Sequence, residues 1–472
     1  MSSNTLQRVW ILGFAGHRAL ANPEAVRQSI RTAVETFRSQ VDGEVIGRAS
    51  AAEGADLLFL EACRDAGLAY SVVLPFSEAR FRGDFADDAR WAHAKSLIDG
   101  AASVEIAPGH EGAPEAYHLA SREILDVADA MLFVWDGEPA RGLGGTAETV
   151  AEARDRGLPH QVIEAVTANA GPFVNAPPWP WTDESFASLP PFGNVEELFA
   201  ALDRRALHGA PKSRLLAAAS ISLNQLATVI FGVLVAFGIA AAIAPVVKFL
   251  LVTLAAVLPW AGSRKRLHEC WLNDRIRAEL LRSLLASHSF APPLRPFAAG
   301  LFLTDAAFLR SAAWRLAGRK RPWDQEKVRY MTARLDDQIG YLESKAAKAA
   351  KRLSRLDVAF KVSGLGAMVF GAAAILNALC GWNAGGWVRA VLFDFLPTIL
   401  PAVAAWCLSM IALYEHRRRA GLYRQMVDRL RVKRVELANS KCRVTAAEVV
   451  SACERLLLTE LWEWGDTGGK RR

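Results

Sequence analysis

Residues 221–244 read ISLNQLATVIFGVLVAFGIAAAIA, a run without a single charged side chain. A helix needs about 20 apolar residues to cross the hydrocarbon core of a bilayer, and this run supplies them. Three further apolar runs follow, at 249–260, 362–379 and 391–413. Together they make two pairs, 215–260 and 358–414, each broken by a tight connection, at 245–248 in the first and 380–389 in the second. The run 249–260 is the shortest and gains length only by extending back through Pro245. Burial in a large soluble core is the competing reading of such runs, but core helices seldom go so far without a charge. The sequence therefore predicts an all-α membrane region of four transmembrane helices, in hairpins at 211–262 and 357–416.

The flanks orient these hairpins. Arg214 precedes the first pair, and Arg264, Lys265 and Arg266 follow it. Lys351, Arg352 and Arg355 precede the second, and Arg417, Arg418 and Arg419 follow it, whereas the two short connections carry only Lys248 and Arg389. The positive-inside rule then places both termini and the middle of the chain in the cytoplasm of a multi-pass inner-membrane protein, with Trp260, Trp382, Trp387 and Tyr414 at the interfaces. Composition agrees: 52% of the 472 residues are hydrophobic, and the net charge of +7 is concentrated at the span ends. Topology and anionic headgroups explain that surplus better than a nucleic acid polymer does. Six cysteines without a CxxC pair fit reduced thiols and offer no metal signature. The N-terminus shows no charged-then-apolar signal segment, so the first span is expected to direct insertion.

Upstream of the spans the pattern changes. Short apolar runs at 8–14, 44–48, 69–74, 103–106, 130–135 and 161–163 alternate with helical stretches, which predicts a doubly wound, Rossmann-like α/β domain over 1–167. Ligands of such sheets sit beyond the strand carboxyl ends, where three turns are rich in small residues: Gly16-His17-Arg18, Ser50 to Gly54, and Gly144-Gly145-Thr146. Glycine turns that open helices suit phosphates, through backbone amides and the positive helix end. None matches GxGxxG or the Walker A pattern, so dinucleotide oxidoreductase and ATPase readings lose their main support. As single features, these residues also fit ordinary turns and caps.

Four blocks carry a family resemblance: Gly16-His17-Arg18; Ser50-Ala51-Ala52-Glu53-Gly54-Ala55-Asp56; Val73-Leu74-Pro75-Phe76; and Trp135-Asp136-Gly137 with Gly142-Leu143-Gly144-Gly145-Thr146-Ala147-Glu148. Over about residues 5–165 the chain resembles the SLOG superfamily, the Rossmann-like group that includes DprA, the Lonely-guy proteins and sensor domains of bacterial conflict systems. The resemblance implies a nucleotide-derived small-molecule ligand bound through Gly144 to Thr146 and the facing loops. It makes Arg18 and His17 candidates to hold a phosphate, and Asp136 and Glu53 candidates to accept from a ribose hydroxyl. Pro75 belongs to the same rim. The hydrolytic Lonely-guy signature PGGxGTxxE is not reproduced, since Glu148 stands displaced from its place in that motif. A helical side chain moved by one or two positions turns by about 100 to 200°, so binding is expected and no catalytic residue, cofactor or metal is assigned.

A Pro-rich linker and helix, 168–210, lead to the first hairpin, a charged helical segment fills 263–356, and further helices occupy 417–472. Residues 338–464, an amphipathic helix, two spans, an Arg-rich helix and a last helix ending Glu460-Leu461-Trp462-Glu463-Trp464, resemble the SLATT group of two-span effectors found beside SLOG sensors. The first half repeats that plan weakly. The expectation is a ligand-gated membrane effector of a conflict or antiphage-type system, acting on the bilayer as a homo-oligomer. The alternatives are a membrane-anchored nucleotide hydrolase and a nucleotide-regulated ion channel outside defence. Reporter fusions at the two ends are expected to report the same, cytoplasmic side; opposite sides would overturn the topology.

Overall fold

A computed structural model describes residues 6–108, 115–139, 144–187, 189–190, 192–238, 243–264, 267–319, 322–381 and 386–466. Gly142, Leu143, Lys265, Arg266 and Trp382 lie outside the described residues. The chain forms two compact units, one of Met1–Leu198 with Ala291–Lys320 and one of Phe199–Phe290 with Arg321–Arg472.

In the first unit six strands, β1 (Val9–Gly16), β2 (Glu44–Ala49), β3 (Ala69–Leu74), β4 (Ser103–Ile106), β5 (Ala130–Trp135) and β6 (His160–Glu164), make one parallel sheet in the order β4-β3-β2-β1-β5-β6. Helices α1 (Pro23–Gln40), α2 (Ala55–Asp65), α3 (Asp88–Asp99), α4 (Glu115–Leu125) and α5 (Thr146–Asp155) connect them. This is the Rossmann-like arrangement expected from the alternating pattern. Local chemistry sets the ends: Asn22 Oδ1 accepts from the Ala25 amide at 3.2 Å, and Pro23 opens α1. The proline-rich stretch is pinned by its aromatics, with Trp179 stacked on Trp181 at 4.6 Å and both rings against Phe37.

Parallel strands are covered on both faces, and β1 shows why the cover matters. Trp10, Leu12 and Phe14 enter a core with Val26, Ile30 and Val34 of α1 and Phe59 of α2. On the other face Val9 and Ile11 join Ile46, Val127 and Leu294. The sequence reads 263–356 as one charged, largely helical region interrupted at Pro292 to Pro296; in the structure Ala291–Lys320 belongs to the sheet unit. Ser311 Oγ on the helix Ala306–Leu316 accepts from the Val9 amide at 2.9 Å, and Trp314 Nε1 donates to Glu44 Oε1 at 2.9 Å. An Arg310 guanidinium nitrogen donates to the Val127 carbonyl at 2.6 Å, and Arg295 pairs with Glu123. Nearby, the fully buried Arg48 pairs in bidentate fashion with Glu105 at 2.7 and 3.0 Å.

The second unit is helical. α6 (Val195–Ala236), whose first turn belongs to the sheet unit, runs 42 residues from charged sequence into apolar sequence. α7 (Ala244–Arg264) and α8 (Leu267–Ser287) follow. α9 (Trp323–Tyr330) passes through a π-helical turn, Met331–Asp336, into α10 (Asp337–Cys380), 44 residues long. After a second π-helical turn, Ala390–Phe395, come α11 (Leu396–Leu413), α12 (His416–Asn439) and α13 (Arg443–Asp466). Both hairpins thus begin with one long helix that carries its charged end continuously into its apolar end.

Among the described residues three helices are long and apolar enough to cross a membrane: Leu215–Ala236, Trp323–Cys380 and Gly386–Asn439. The fourth apolar stretch, Ala244–Leu258, is shorter, as its sequence foreshadows. Leu365, Met368, Val369 and Leu379 are all more than half exposed, an apolar surface that water does not tolerate at this extent and a bilayer does. Within the apolar region Ser220 Oγ donates to the Ala255 carbonyl at 2.7 Å, and Trp406 Nε1 donates to Ser222 Oγ at 3.1 Å. Among the charged portions Asp203 meets Arg282 at 3.1 Å, and the buried pair Arg334 and Glu454 meets at 2.8 Å, with the Tyr330 hydroxyl donating to Glu454 at 2.8 Å.

Leu294 is fully buried against the sheet, so Leu294→Ala is expected to cost the sheet unit about 2–5 kcal/mol. Hydrogen exchange of the β1 and β2 amides in the full-length protein reads this; unchanged protection would mean that 291–320 is not part of that core.

Candidate functional site

In the sheet the chain runs outward from β1 through β2 and β3 to β4, then returns to β5 beside β1. The carboxyl ends of β1 and β5 therefore flank the point where winding reverses, the usual ligand crevice of such sheets. His17 and Asp136 stand there. His17 Nε2 lies 3.0 Å from Asp136 Oδ1 and 3.1 Å from the Asp136 backbone nitrogen, which donates to it. The Glu138 amide, donating to Asp136 Oδ1 at 3.0 Å, is the leading cause that holds this carboxyl below the ordinary aspartate range, helped by His17.

The turns after β1 and β2 are fastened to each other. The Ala55 amide donates to the His17 carbonyl at 3.0 Å. Gly54 has φ +97°, and a Cβ there would fall 2.2 Å from the Arg18 carbonyl oxygen. Glycine at 54 is thus demanded by backbone packing. Gly16 is the last residue of β1, paired with Val134. Ser50 is half-buried between β2 and α2, and Pro75 is buried after β3. Glu53 is engaged by Arg90 of α3.

Arg18 presents the cation of this edge. Its side chain is half exposed, 5.2 Å over the Tyr117 ring and 3.7 Å from Asp84 Oδ2, and the Tyr117 hydroxyl donates to the same aspartate. Behind it lies Asp56, in the first turn of α2 and only 6% exposed. Burial pushes its carboxyl up to about 7, while the Ala52 and Gly16 backbone hydrogen bonds and the Arg18 charge pull it down. Its Oδ1 is buried and has no hydrogen-bond partner among the described residues. A buried acceptor without a donor costs about 1–3 kcal/mol, so Asp56 is a liability unless a ligand or solvent group reaches it.

The third turn is arranged differently from the expectation. Gly145 caps α5 and Thr146 opens it. Gly144 has φ +79° and sits so close to α4 that a Cβ would fall 2.8 Å from the His118 amide nitrogen. The Glu148 carboxylate turns back to accept from the Gly144 amide at 2.6 Å and meets His118 Nδ1 at 3.3 Å. Glu148 therefore braces the turn. The twelve expected residues share the carboxyl edge of one sheet, but their contacts form separate groups: His17 with Asp136, Arg18 with Gly54, Glu53 with Arg90, and Gly144 with Glu148. Asp56, Asp84 and Tyr117 escaped the sequence-derived set. Asp56 was visible inside the Ser50 to Asp56 block; Asp84 and Tyr117 carry no local signal. No group of three or more metal-ligating side chains occurs among the described residues.

The raised carboxyl of Asp56 has a stability consequence with a definite sign. Between its ordinary value of 3.8 and about 7 the folded protein holds a proton that the unfolded chain has lost, so stability falls as pH rises through that window and levels off above it. A shift of this size corresponds to about 4 kcal/mol. Asp56→Asn, which mimics the protonated form, is expected to remove that slope, read as the difference between wild-type and variant denaturation midpoints across pH 4 to 7.

Comparison with known proteins bears on the other unit. Residues 330–464 match the family model described as SMODS and SLOG-associating 2TM effector domain 1. That match begins at the Tyr330 that contacts Glu454 and runs through both apolar helices of the second hairpin into α13. No curated protein matches the chain. Residues 330–464 are thus similar to a two-span effector domain, as the resemblance of 338–464 led one to expect.

Proposed function

We propose that this chain is a ligand-gated membrane effector of a prokaryotic conflict system. The carboxyl edge of the sheet binds a nucleotide-derived messenger, with Arg18 and His17 toward its phosphate, Asp56 and Asp136 toward donors on its sugar or base, and the Gly144 to Thr146 turn facing them. The helical unit sits in the inner membrane and, assembled with further copies, permeabilises it. The observation that carries this reading is the match of residues 330–464 to a two-span effector domain whose description ties it to SLOG partners, in a chain that also carries a Rossmann-like sheet.

Contacts that bracket each hairpin support four crossings. Val9 and Ser311 bond to each other from either side of the first hairpin, as do Asp203 and Arg282. Arg334 and Glu454 do the same around the second. Residues in contact outside the bilayer lie on one side of it, so each hairpin crosses an even number of times. If Leu215–Ala236 spans, the apolar stretch Ala244–Leu258 of α7 must bring the chain back. Its 15 residues rise about 22 Å, less than the ~30 Å core, and local thinning of the bilayer meets the difference at modest cost. Both termini then share a side, and the positive-inside rule makes it the cytoplasm.

A messenger opens such a protein only by binding the active state more tightly than the resting one; moving a 1:99 balance to 99:1 takes about 5.5 kcal/mol of differential affinity. The test reconstitutes the full chain in dye-loaded liposomes and adds a panel of mononucleotides, ADP-ribose and cyclic dinucleotides while assaying nucleotide turnover. Dye release by one of them without turnover is the expected result. Turnover without release would favour the anchored hydrolase instead and sink the proposal.

A further inference from the structure

The helical unit contains a cavity of about 680 Å³, within the size range of small-molecule sites. Its wall comes from α6, α8, α9, the π-helical turn, α10, α12 and α13, all within the one compact unit. One part of the lining is apolar, with Leu342, Met426, Leu457 and Leu461, and tyrosines 330, 341 and 423 stand among them. The other part is cationic: Arg275, Arg282, Arg329, Arg334, Lys345 and Arg419.

The counter-charges are distributed unevenly about this wall. Arg275 and Arg282 share Asp203 and Glu279, which also line the cavity. Arg329 and Arg334 find their carboxylates in Glu326 and Glu454, nearly or fully buried and outside the lining, and Arg419 has Glu415 3.8 Å away, also outside it. Lys345 stands 5.1 Å over the Tyr341 ring and has no carboxylate partner among the described residues. Three guanidinium groups and an ammonium therefore line the space with their balancing charges set behind them or missing. Asp337, whose carboxylate accepts from Gln338 Nε2 at 3.4 Å, is a lining carboxylate with no cation partner among the described residues, and it suits a hydroxyl on the occupant. Planar guanidinium groups favour phosphate oxygens, and the leucines and tyrosines favour an apolar or aromatic body.

We propose that this cavity is a second ligand site, separate from the sheet edge, and that it takes an organic phosphate ester bearing an apolar body. Two sources offer that chemistry, the bilayer and the cytosol. The upper rim lies near the membrane end of the unit: Leu207 precedes the span Leu215–Ala236 by eight residues, roughly 12 Å along a helix, and Arg419 stands in the first turn of α12, six residues after the end of α11. An anionic lipid headgroup reaches that level, and a soluble phosphate ester reaches it from below. Because α6, α10 and α12 run from this wall toward the spans, an occupant touches the segments that a gating motion would have to shift.

The test uses the full chain with two probes: phenyl phosphate titrated calorimetrically in detergent, and phosphatidylglycerol retained in native mass spectrometry after transfer from nanodiscs, with phosphatidylcholine nanodiscs as the reference. Saturable phenyl phosphate binding identifies the soluble source; selective phosphatidylglycerol retention identifies the membrane. Two variants locate either signal, the rim double variant K345E/R419E and the cavity-filling Ala286→Trp, which leaves every charge in place. At least tenfold weaker binding in either variant, at an unchanged thermal midpoint, is the expected result. Failure of both probes to bind the wild-type protein, or binding that survives both variants, overturns the proposal, and neither outcome touches the sheet edge.

Discussion

The first strand of the sheet must be buried on both faces, and the local chain covers one of them and only part of the other. α1 and α2 close over Trp10, Leu12 and Phe14. On the opposite face α4 and α5 reach the core around Met131 and Phe133, which leaves Val9, Ile11 and Ile46 to be covered by Leu294 and Trp314 from far along the chain. Apolar burial contributes about 25 cal/mol per Å², and each of these side chains would forfeit most of its share if left in water. The sheet unit is consequently incomplete until the first hairpin has been made. Loop closure over such a distance costs entropy only logarithmically, so the arrangement is thermodynamically cheap, but it binds the fold of the sheet to the path of the membrane segment.

The helical unit obeys the same logic with charge in place of apolar area. Arg334 and Glu454 are buried together, with Tyr330 completing the carboxylate's hydrogen bonds. Removing one member of a buried pair strands the other and costs about 3–5 kcal/mol, so the pair is a strict registration device for α13 against the π-helical turn. Asp203 with Arg275 and Arg282 performs a looser version around the first hairpin. A π-helical turn inserts an extra residue and rotates the helix beyond it. Tyr330 and Arg334, four residues apart and so on one helix face, both address Glu454 before α10 sets off toward the apolar region.

How much the sequence disclosed depends on the range of the physics involved. Membrane segments depend on length and local composition, so three long apolar helices and one short one were legible from residue type alone. The alternation of strand with helix and the carboxyl-edge turns depend on patterns of about ten residues and were legible as well. The return of 291–320 to the sheet was not, because nothing in Pro292, Leu294 or Trp314 announces a partner nearly three hundred positions away. The glycine turns were read as places for phosphate, yet Gly54 and Gly144 are also required by close backbone packing. Glu148, expected at the ligand edge from the resemblance, accepts from the Gly144 amide and faces His118, contacts that no sequence pattern announced. Asp56 went unselected because sequence shows a carboxylate but not its burial.

Asp56 also bears on whether the sheet edge senses or cleaves. A general acid or base must hold its proton near a reacting bond and present it to solvent-derived water or substrate. Asp56 has the shifted proton affinity, its Oδ1 is buried without a hydrogen-bond partner among the described residues, and the Arg18 charge acts on it. Glu148, the residue a hydrolytic motif would nominate, is occupied in bracing its own turn. A donor on a messenger that reached Asp56 Oδ1 would satisfy a buried acceptor and relieve its desolvation together, a gain denied to ligands lacking that donor. Such a carboxylate favours a ligand that carries the matching donor over one that lacks it.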